Sequence, residues 1–251
     1  HWCDDFTLWS ESHTSYELCS LSIDIIYELL LNFNGSMENF YYLWYNFDKL
    51  IISEEHMRIG IDIDDTLTDI KDKLTMAAKK YAISLNKKVE NKEYQVVDIY
   101  NNGNIYQKLF GFNYDELKYF LGIIQEEITN NAIPRKYCVD VIKQLHEDGN
   151  EIYIITARDS EFHKDPYHQS ETWLNKNSIY FDKLIVNARD KSAVCLENNI
   201  DLLIDDSISN CLSVVNCGIE AIMINNEKNS NHDIKTFRDW KEIYIYIKNG
   251  V

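Results

Sequence analysis

The sequence lacks the features that mark disulfide scaffolds, zinc fingers and membrane spans. Its six cysteines form no CxxC pair and no finger-type spacing, so in a chain of 251 residues we expect reduced, buried thiols and a cytosolic protein. No run of about 18 uncharged apolar residues occurs, which predicts no membrane-spanning helix. No basic segment precedes an apolar one near His1, so a secretory signal is not expected either.

Basic residues are also scarce. The chain has 25 Lys and Arg against 41 Asp and Glu, a formal net charge of −16. Such a surface repels the phosphate backbone of nucleic acids and anionic lipids, so neither polymeric nucleic acid nor a membrane is an expected partner. An anionic small substrate would therefore need a local cation. The sequence leaves the oligomeric state open.

The first 56 residues differ in composition from the rest. They contain ten acidic residues, one basic residue and 12 of the 32 aromatic residues. Their apolar spacing predicts short helices within 23–33 and 40–51. Two interpretations of 1–56 stay open: a fused or lineage-specific segment, or an N-terminal helical extension that packs on the core. The remainder, 57–251, is predicted to form the main domain.

Within this domain, short apolar, β-branched runs alternate with helical patterns. Strands are predicted at 58–63, 151–156, 183–187, 201–205 and 220–224, and helices at 134–147, 168–176, 190–198 and 207–216. This alternation predicts an α/β fold with a doubly wound, Rossmann-like parallel sheet covered on both faces. A further helical stretch, about 70–132, is too long for an ordinary crossover and predicts a helical cap inserted after the first strand.

Acidic residues gather where two of the predicted strands end. The stretch RIGIDIDDTLTD at 58–69 places Asp62 and Asp64 two residues apart on one side of an extended chain, and another strand ends at Asp205 and Asp206. Ligands of open parallel sheets bind at the carboxyl ends of the strands. Neighbouring carboxylates repel one another unless a cation lies between them, and Mg²⁺ prefers oxygen ligands. The sequence therefore predicts a magnesium site here.

Some polar residues near these strand ends are given structural roles instead. An Asp at a strand end can cap the next helix, which is the interpretation adopted for Asp65 and Asp69. His163 and His168, in EFHKDPYHQ, are interpreted as surface residues rather than zinc ligands.

Two more strand ends supply groups that suit a phosphate. IITAR places Thr156 directly after the second strand, where a hydroxyl and free backbone N–H groups can bind phosphate oxygens. NARDKSAVC places Lys191 at the start of a helix, where the helix dipole disfavours a cation. Lys191 would therefore be stabilised by an anion, either a bound phosphate or Asp62. Lys183 precedes its strand rather than following it and is the weaker candidate.

The order of these groups resembles that of the haloacid dehalogenase-like (HAD) hydrolase superfamily over about 58–226. Its first motif, DxDx(T/V), matches DIDDT at 62–66; the second matches Thr156, the third Lys191, and the fourth the Asp205–Asp206 pair. The helical insert and the stretches ETWLNKNSIYFDKLI and DKSAVCLENNIDLLIDDS resemble the 5′-nucleotidase group, which includes 5′(3′)-deoxyribonucleotidases and bacterial nucleotidase-like proteins. Mammalian members differ at two points, with Gly at the position of Asp65 and Thr-Ser-Pro in place of Thr-Ala-Arg.

The resemblance implies a Mg²⁺-dependent phosphomonoesterase acting on a small phosphorylated metabolite, a nucleoside or deoxynucleoside monophosphate before others. Asp62 would form an aspartyl-phosphate, and Asp64 would protonate the leaving alcohol and then activate water. Thr156 and Lys191 would bind the phosphoryl oxygens.

The resemblance also implies the metal ligands. Mg²⁺ would be bound by Asp62, the backbone carbonyl of Asp64 and Asp205, with Asp206 ligating the ion or orienting one of its waters.

Other functions stay open on the sequence. They are a phosphatase of sugar phosphates or other non-nucleotide metabolites, a non-catalytic binding protein with the HAD fold, and a receiver-like phosphoacceptor. In the cap, Tyr100, Tyr106 and Phe110 could stack on a base, although aromatic residues in a helical insert more often form its core.

Overall fold

A computed structural model describes residues 56–89, 104–224 and 233–250. The helices predicted at 23–33 and 40–51 lie outside these residues, as does Tyr100.

A parallel sheet of six strands forms the centre of the described part of the chain, in the order β3-β2-β1-β4-β5-β6. The strands are β1 (Arg58–Ile61), β2 (Glu151–Ile155), β3 (Lys183–Ile185), β4 (Leu202–Asp205), β5 (Glu220–Ile224) and β6 (Lys235–Phe237). The strand order reverses between β1 and β4, and a crevice opens at such a point beyond the strand ends. The prediction of a doubly wound parallel sheet is confirmed; β6 was not predicted.

Helices precede or follow the strands along the chain. They are α1 (Lys71–Ser84), α2 (Ile105–Phe110), α3 (Tyr114–Tyr119), α4 (Glu126–Asn130), α5 (Cys138–Glu147), α6 (Pro166–Lys176), α7 (Lys191–Glu197), α8 (Ile208–Val215) and α9 (Trp240–Lys248). A π-helical turn, Phe120–Gln125, joins α3 to α4. None of these helices has the length and apolar character needed to cross a membrane.

Both faces of the sheet are buried. Along β4, Leu202 and Ile204 belong to one hydrophobic cluster, which also contains side chains of α5, α6 and α9. Leu203, between them, belongs to a second cluster, which contains Cys195 of α7 and Cys211 of α8. Because successive side chains of a strand point to opposite faces, the two clusters cover the two sides of the sheet.

The segment between β1 and β2 has a hydrophobic cluster of its own. α1 to α4 and the π-helical turn lie in this segment, and their buried side chains include Ala78, Phe110, Leu117 and Phe120. Phe110 is thus part of the core of the insert. The insert approaches the loop after β2 very closely, since a Cβ added at Gly122 would lie 2.4 Å from the carbonyl oxygen of Phe162.

Replacing Gly122 by alanine tests this close approach. Gly122→Ala is expected to lower the free energy of unfolding by about 1–3 kcal/mol, the usual cost of overpacking, because the atom in the way is a backbone oxygen. Urea denaturation measures the change. The control is Ile123→Ala at the exposed neighbouring position, expected to change stability by less than about 0.5 kcal/mol. Equal stabilities of the two variants would contradict the contact.

Candidate active site

The residues that follow β1, β2 and β4 meet at the carboxyl edge of the sheet. Asp62 comes directly after β1, and its N–H donates to the carbonyl of Ile204 in β4 at 3.0 Å. Thr156 comes directly after β2, and its N–H donates to the carbonyl of Ile185 in β3 at 2.9 Å. Asp205 is the last residue of β4. These backbone bonds continue the strand pairing, so the positions of the three side chains are set by the sheet.

Lys191 joins the ends of two neighbouring strands. Its Nζ donates to Asp62 Oδ1 at 2.5 Å and to Asp205 Oδ2 at 2.7 Å. All three residues are buried. Asp190 caps α7 by accepting a bond from the N–H of Ala193, which places Lys191 at the first position of the helix. Burial alone would lower the pKa of Lys191, but the charges of Asp205 and Asp62 outweigh it and raise the pKa, so the side chain is a fixed cation.

The two carboxylates of this group differ in what else they bind. Asp205 Oδ1 accepts bonds from Ser207 N at 2.8 Å and Asn210 Nδ2 at 3.1 Å, in addition to the bond from Lys191 to Oδ2. Asp62 has fewer partners, and burial raises its pKa to about 7; Lys191 opposes this rise while the charges of Asp205 and Asp64 add to it. The single positive charge of Lys191 therefore does not balance the negative charges of Asp62 and Asp205.

Asp206 adds to the surplus of negative charge. Its carboxylate makes no hydrogen bond or ion pair with the part of the chain that the structure describes. Burial, together with the charges of Asp205, Asp62 and Asp65, raises its pKa well above the ordinary value. Carboxylates pushed together in this way resist ionisation unless a cation joins them.

The donor chemistry fits a hard divalent cation. Within the described residues, no three Asp, Glu, His or Cys side chains already surround one point as metal ligands do. The edge nevertheless carries four acidic side chains, Asp62, Asp64, Asp205 and Asp206, against two cations, Lys191 and Arg158. Oxygen donors in negative surplus suit Mg²⁺. Asp206 is the carboxylate least engaged by other groups.

An arginine that the sequence analysis did not assign binds Asp64. Arg158 Nε and Nη2 donate to the two carboxylate oxygens of Asp64 at 2.9 and 2.7 Å, and Nη1 lies 3.4 Å from Ser170 Oγ in α6. Burial would raise the pKa of Asp64, but the charge and hydrogen bonds of Arg158 outweigh it and lower the pKa. The sequence feature that could have indicated a role for Arg158 is Thr-Ala-Arg at 156–158, which stands where mammalian members of the 5′-nucleotidase group have Thr-Ser-Pro.

Thr156 directly follows β2, the strand next to β1. It is 1% exposed, and its Oγ1 accepts a bond from the N–H of Arg158 at 3.3 Å. A hydroxyl can donate one bond as well as accept, so Thr156 can still donate to a phosphate oxygen.

Asp65 and Asp69 have structural roles. Asp65 Oδ1 accepts bonds from the N–H groups of Ile70 and Lys71, at 2.9 and 2.7 Å, so its prediction as a capping residue is confirmed. Its φ of 63° is in the left-handed region, which Asp tolerates better than most residues and which glycine adopts without strain. Asp69 forms an ion pair with Arg135, with 3.5 Å between Oδ1 and Nη2.

The prediction that His163 lies on the surface is wrong. The side chain is 7% exposed, and Nδ1 lies 3.7 Å from Glu126 Oε2 of the insert. Burial and the charge of Arg158 lower its pKa. It is buried because the insert covers this loop, which local sequence cannot predict. His168 is exposed, as predicted.

Tyr106 of the insert lies near the loop after β1 that contains Asp64 and Asp65. Burial and the charges of Asp65 and Asp64 raise its pKa, and its ring packs against Phe120 with 4.6 Å between centroids. Tyr106 is half-buried: it packs against the hydrophobic cluster of the insert and also lies close enough to Asp64 to be affected by its charge.

The cysteines described by the structure have no disulfide partners. Cys138, Cys195 and Cys211 are buried, as expected, and burial raises the pKa of Cys195 to about 11. Cys217 is exposed, which corrects the prediction of a buried thiol there: it follows α8 on the surface.

Removing the cation at Lys191 tests the charge balance. Lys191→Met leaves Asp62 and Asp205 facing each other in a buried site, so we expect the free energy of unfolding to fall by about 3–5 kcal/mol, as when one partner of a buried ion pair is lost. Urea denaturation near pH 7 without divalent cations measures it. The control is Lys183→Met, since the exposed Lys183 donates to Asn198 Oδ1, lies over the ring of Tyr153 and is not part of a buried ion pair. Equal losses in both variants would contradict the assigned role of Lys191.

Comparison with known proteins gives relatives in sequence and in structure. No family model matches the chain. A nucleotidase of Clostridium acetobutylicum is 28% identical over 194 residues, which cover 76% of this chain and 93% of that protein. A haloacid dehalogenase-like hydrolase of Streptococcus pneumoniae superposes with a TM-score of 0.54 at 16% identity, over 76% of this chain and 98% of that one.

A second solved structure is described as bound to magnesium. This HAD-type hydrolase of Bacillus subtilis has a TM-score of 0.50 at 15% identity and covers 77% of this chain and 99% of its own. All three proteins are hydrolases by name, which agrees with the predicted enzyme class, a hydrolase of phosphoric monoesters. The predicted resemblance is confirmed: the chain has the fold of the HAD-like hydrolases and, in sequence, is related to a nucleotidase.

Proposed function

We propose that the protein is a Mg²⁺-dependent phosphomonoesterase that hydrolyses a nucleoside or deoxynucleoside monophosphate. The observation that carries the proposal is the contact of Lys191 with both Asp62 and Asp205, beside the Arg158–Asp64 pair. It supports the proposal because the side chains that would serve as nucleophile, phosphate-binding cation and acid–base group lie at one edge of the sheet. The similarity to the nucleotidase of C. acetobutylicum supports the class of substrate.

In the first half of the reaction, a carboxylate oxygen of Asp62 attacks phosphorus. The bond between phosphorus and the alcohol oxygen breaks, and its electron pair goes to that oxygen, which takes a proton from Asp64. The product is the free nucleoside and an aspartyl-phosphate on Asp62. A phosphate placed beside Asp64 favours its protonated form, because like charges raise the pKa of a carboxyl group.

In the second half, water attacks the phosphorus of the aspartyl-phosphate. Water gives its proton to Asp64, the bond from phosphorus to Asp62 breaks, and inorganic phosphate leaves. Both side chains return to their starting states. In both halves Lys191 and Thr156 would bind the phosphoryl oxygens and stabilise the charge that develops there.

The cation would be bound by Asp62, the backbone carbonyl of Asp64, Asp205 and Asp206. Mg²⁺ bound there would neutralise the surplus of carboxylates and polarise the phosphoryl group. The chain's own part is to supply oxygen donors from two adjacent strand ends. Burial and neighbouring carboxylates raise the pKa of Asp206, so a bound cation would stabilise its ionised form strongly.

The hydrolytic activity is tested with p-nitrophenyl phosphate and with a panel of ribo- and deoxynucleoside monophosphates and sugar phosphates. We expect turnover with Mg²⁺, its loss with EDTA, and a fall of at least about 10³-fold in kcat for Asp62→Asn, because the amide is a poor nucleophile. The control is Asp165→Asn. Asp165 caps α6 by accepting from His168 N, and asparagine caps a helix equally well, so activity should be unchanged.

The outcomes separate the open functions. No hydrolysis of any compound would contradict the enzyme and favour a binding protein. Faster turnover of sugar phosphates than of nucleotides would contradict only the proposed class of substrate.

Metal binding has a readout that does not depend on activity. Without divalent cations, Asp206→Asn should raise Tm, because it removes a carboxylate that the charges of Asp205 and Asp62 oppose. Mg²⁺ should raise the Tm of the wild type, because an ion present at 100 times its Kd adds about 2.7 kcal/mol to the free energy of unfolding. The Tm of Asp206→Asn should rise less. Asp201→Asn, at the opposite end of β4, is the control and should respond as the wild type does. Identical responses of wild type and Asp206→Asn would refute Asp206 as part of the metal site.

A further inference from the structure

We propose that Arg158 is a positioning residue for Asp64: its guanidinium fixes the carboxyl group that exchanges protons with the leaving alcohol and with water. The inference rests on the proposed phosphomonoesterase function and extends it to a residue outside the four motif matches.

The geometry of the pair carries the inference. Two guanidinium nitrogens donate to two different oxygens of Asp64, at 2.9 and 2.7 Å. Two parallel bonds of this kind fix the plane of a carboxylate as well as its position. A single bond would leave the carboxylate free to rotate.

The guanidinium is itself fixed. Its third nitrogen, Nη1, lies 3.4 Å from Ser170 Oγ, and Ser170 is fully buried in α6. The backbone N–H of Arg158 donates to Thr156 Oγ1, directly after β2. Because Arg158 is bonded to residues of α6 and of the segment after β2, its two bonds to Asp64 hold that carboxylate at a fixed place relative to β2 and α6.

Exposure separates the roles of the two side chains. The side chain of Asp64 is 24% exposed, whereas that of Arg158 is 3% exposed. A substrate in the crevice can therefore reach the carboxylate but not the guanidinium behind it. The nitrogen of Arg158 that does not bond to Asp64 is Nη1, and it lies next to Ser170 Oγ, which is fully buried in α6. The geometry accordingly points to an action of Arg158 through Asp64 and not on the substrate.

A positioning role of this kind predicts a dependence on the leaving group. A nucleoside is a poor leaving group and needs the proton from Asp64 as the bond to phosphorus breaks. p-Nitrophenolate leaves readily without a proton. Disturbing the position of Asp64 should therefore slow hydrolysis of a nucleoside monophosphate much more than hydrolysis of p-nitrophenyl phosphate.

The test is Arg158→Lys, since a lysine keeps the charge but cannot form two parallel bonds. The quantity measured is kcat/KM, which covers the steps up to alcohol release, for p-nitrophenyl phosphate, phenyl phosphate and a nucleoside monophosphate. We expect a fall of about 10²-fold for the nucleotide, a change of less than about threefold for p-nitrophenyl phosphate and an intermediate value for phenyl phosphate. Asp64→Asn should show the same order with larger losses.

The control is Arg58→Lys. Arg58 pairs with Glu151 at 3.1 Å where β1 and β2 begin, at the opposite edge of the sheet, so the same substitution in an arginine–carboxylate pair should leave all three values unchanged. Inhibition by inorganic phosphate is measured alongside, and its Ki should be unchanged in Arg158→Lys because the guanidinium does not contact the phosphoryl group.

The outcomes separate this inference from the proposed function. A wild type that hydrolyses none of the three substrates refutes the proposed function. An active wild type, with an equal loss for all leaving groups and a raised Ki in Arg158→Lys, would show that Arg158 binds phosphate and would overturn the positioning role. No change in Arg158→Lys would overturn it too. If Arg158→Lys does not fold, Ser170→Ala provides the second test: a smaller loss in the same order of leaving groups supports the role, and an equal loss for all contradicts it.

Discussion

One buried ammonium between two buried carboxylates sets the conditions for the rest of the site. Lys191 compensates one of the two charges of Asp62 and Asp205, and Arg158 compensates Asp64. Asp206 then brings a further carboxylate to the same edge. An uncompensated charge in a buried site costs several kcal/mol, which is why Asp62 and Asp206 resist ionisation. Under the proposed function, a phosphate dianion would bind poorly at an edge that is already negative, so binding of the substrate would depend on binding of the metal ion.

The sheet makes this arrangement possible because parallel strands end at the same edge. β1 is central, with β2 on one side and β4 on the other. Gly60 decides the fit: a Cβ there would lie 2.9 Å from Ile155 Cδ1 and 3.2 Å from Ile200 Cγ2. The close approach of neighbouring side chains fixes β1 laterally, so Asp62 emerges at a defined distance from Asp205.

Sequence could predict what depends on local pattern. Buried parallel strands are short apolar runs, so five of the strands were predicted, one with both ends correct and the others with an end misplaced by one or two residues. The predicted first strand ended at Ile63, whereas β1 ends at Ile61 because the chain then turns into the loop that contains Asp64. β6 is three residues long and only partly buried, which leaves no apolar run to find. In α9, the stretch IYIYI has the period of a strand, although it is helical.

Contacts between distant parts of the chain could not be predicted from local sequence. Arg158 and Asp64 are 94 residues apart, and neither neighbourhood indicates the other. Lys191 could be placed because a lysine at a helix start needs an anion, although it is 129 residues from Asp62. His163 was misjudged because the side chains that bury it come from the insert.

The loop that contains Asp64 is also where the insert begins and ends. Asp65 accepts bonds from the first residues of the insert, Ile70 and Lys71. Arg135, just beyond the insert, donates from Nη2 to the carbonyl of Asp65 at 2.8 Å and from Nε to the carbonyl of Thr68 at 2.7 Å. Two arginines therefore fix this loop: Arg158 through the side chain of Asp64, and Arg135 through the backbone of the next residue. A shift of the insert would act on Asp65 from both ends, and the bond pair to Arg158 is what would keep the carboxyl group of Asp64 in place.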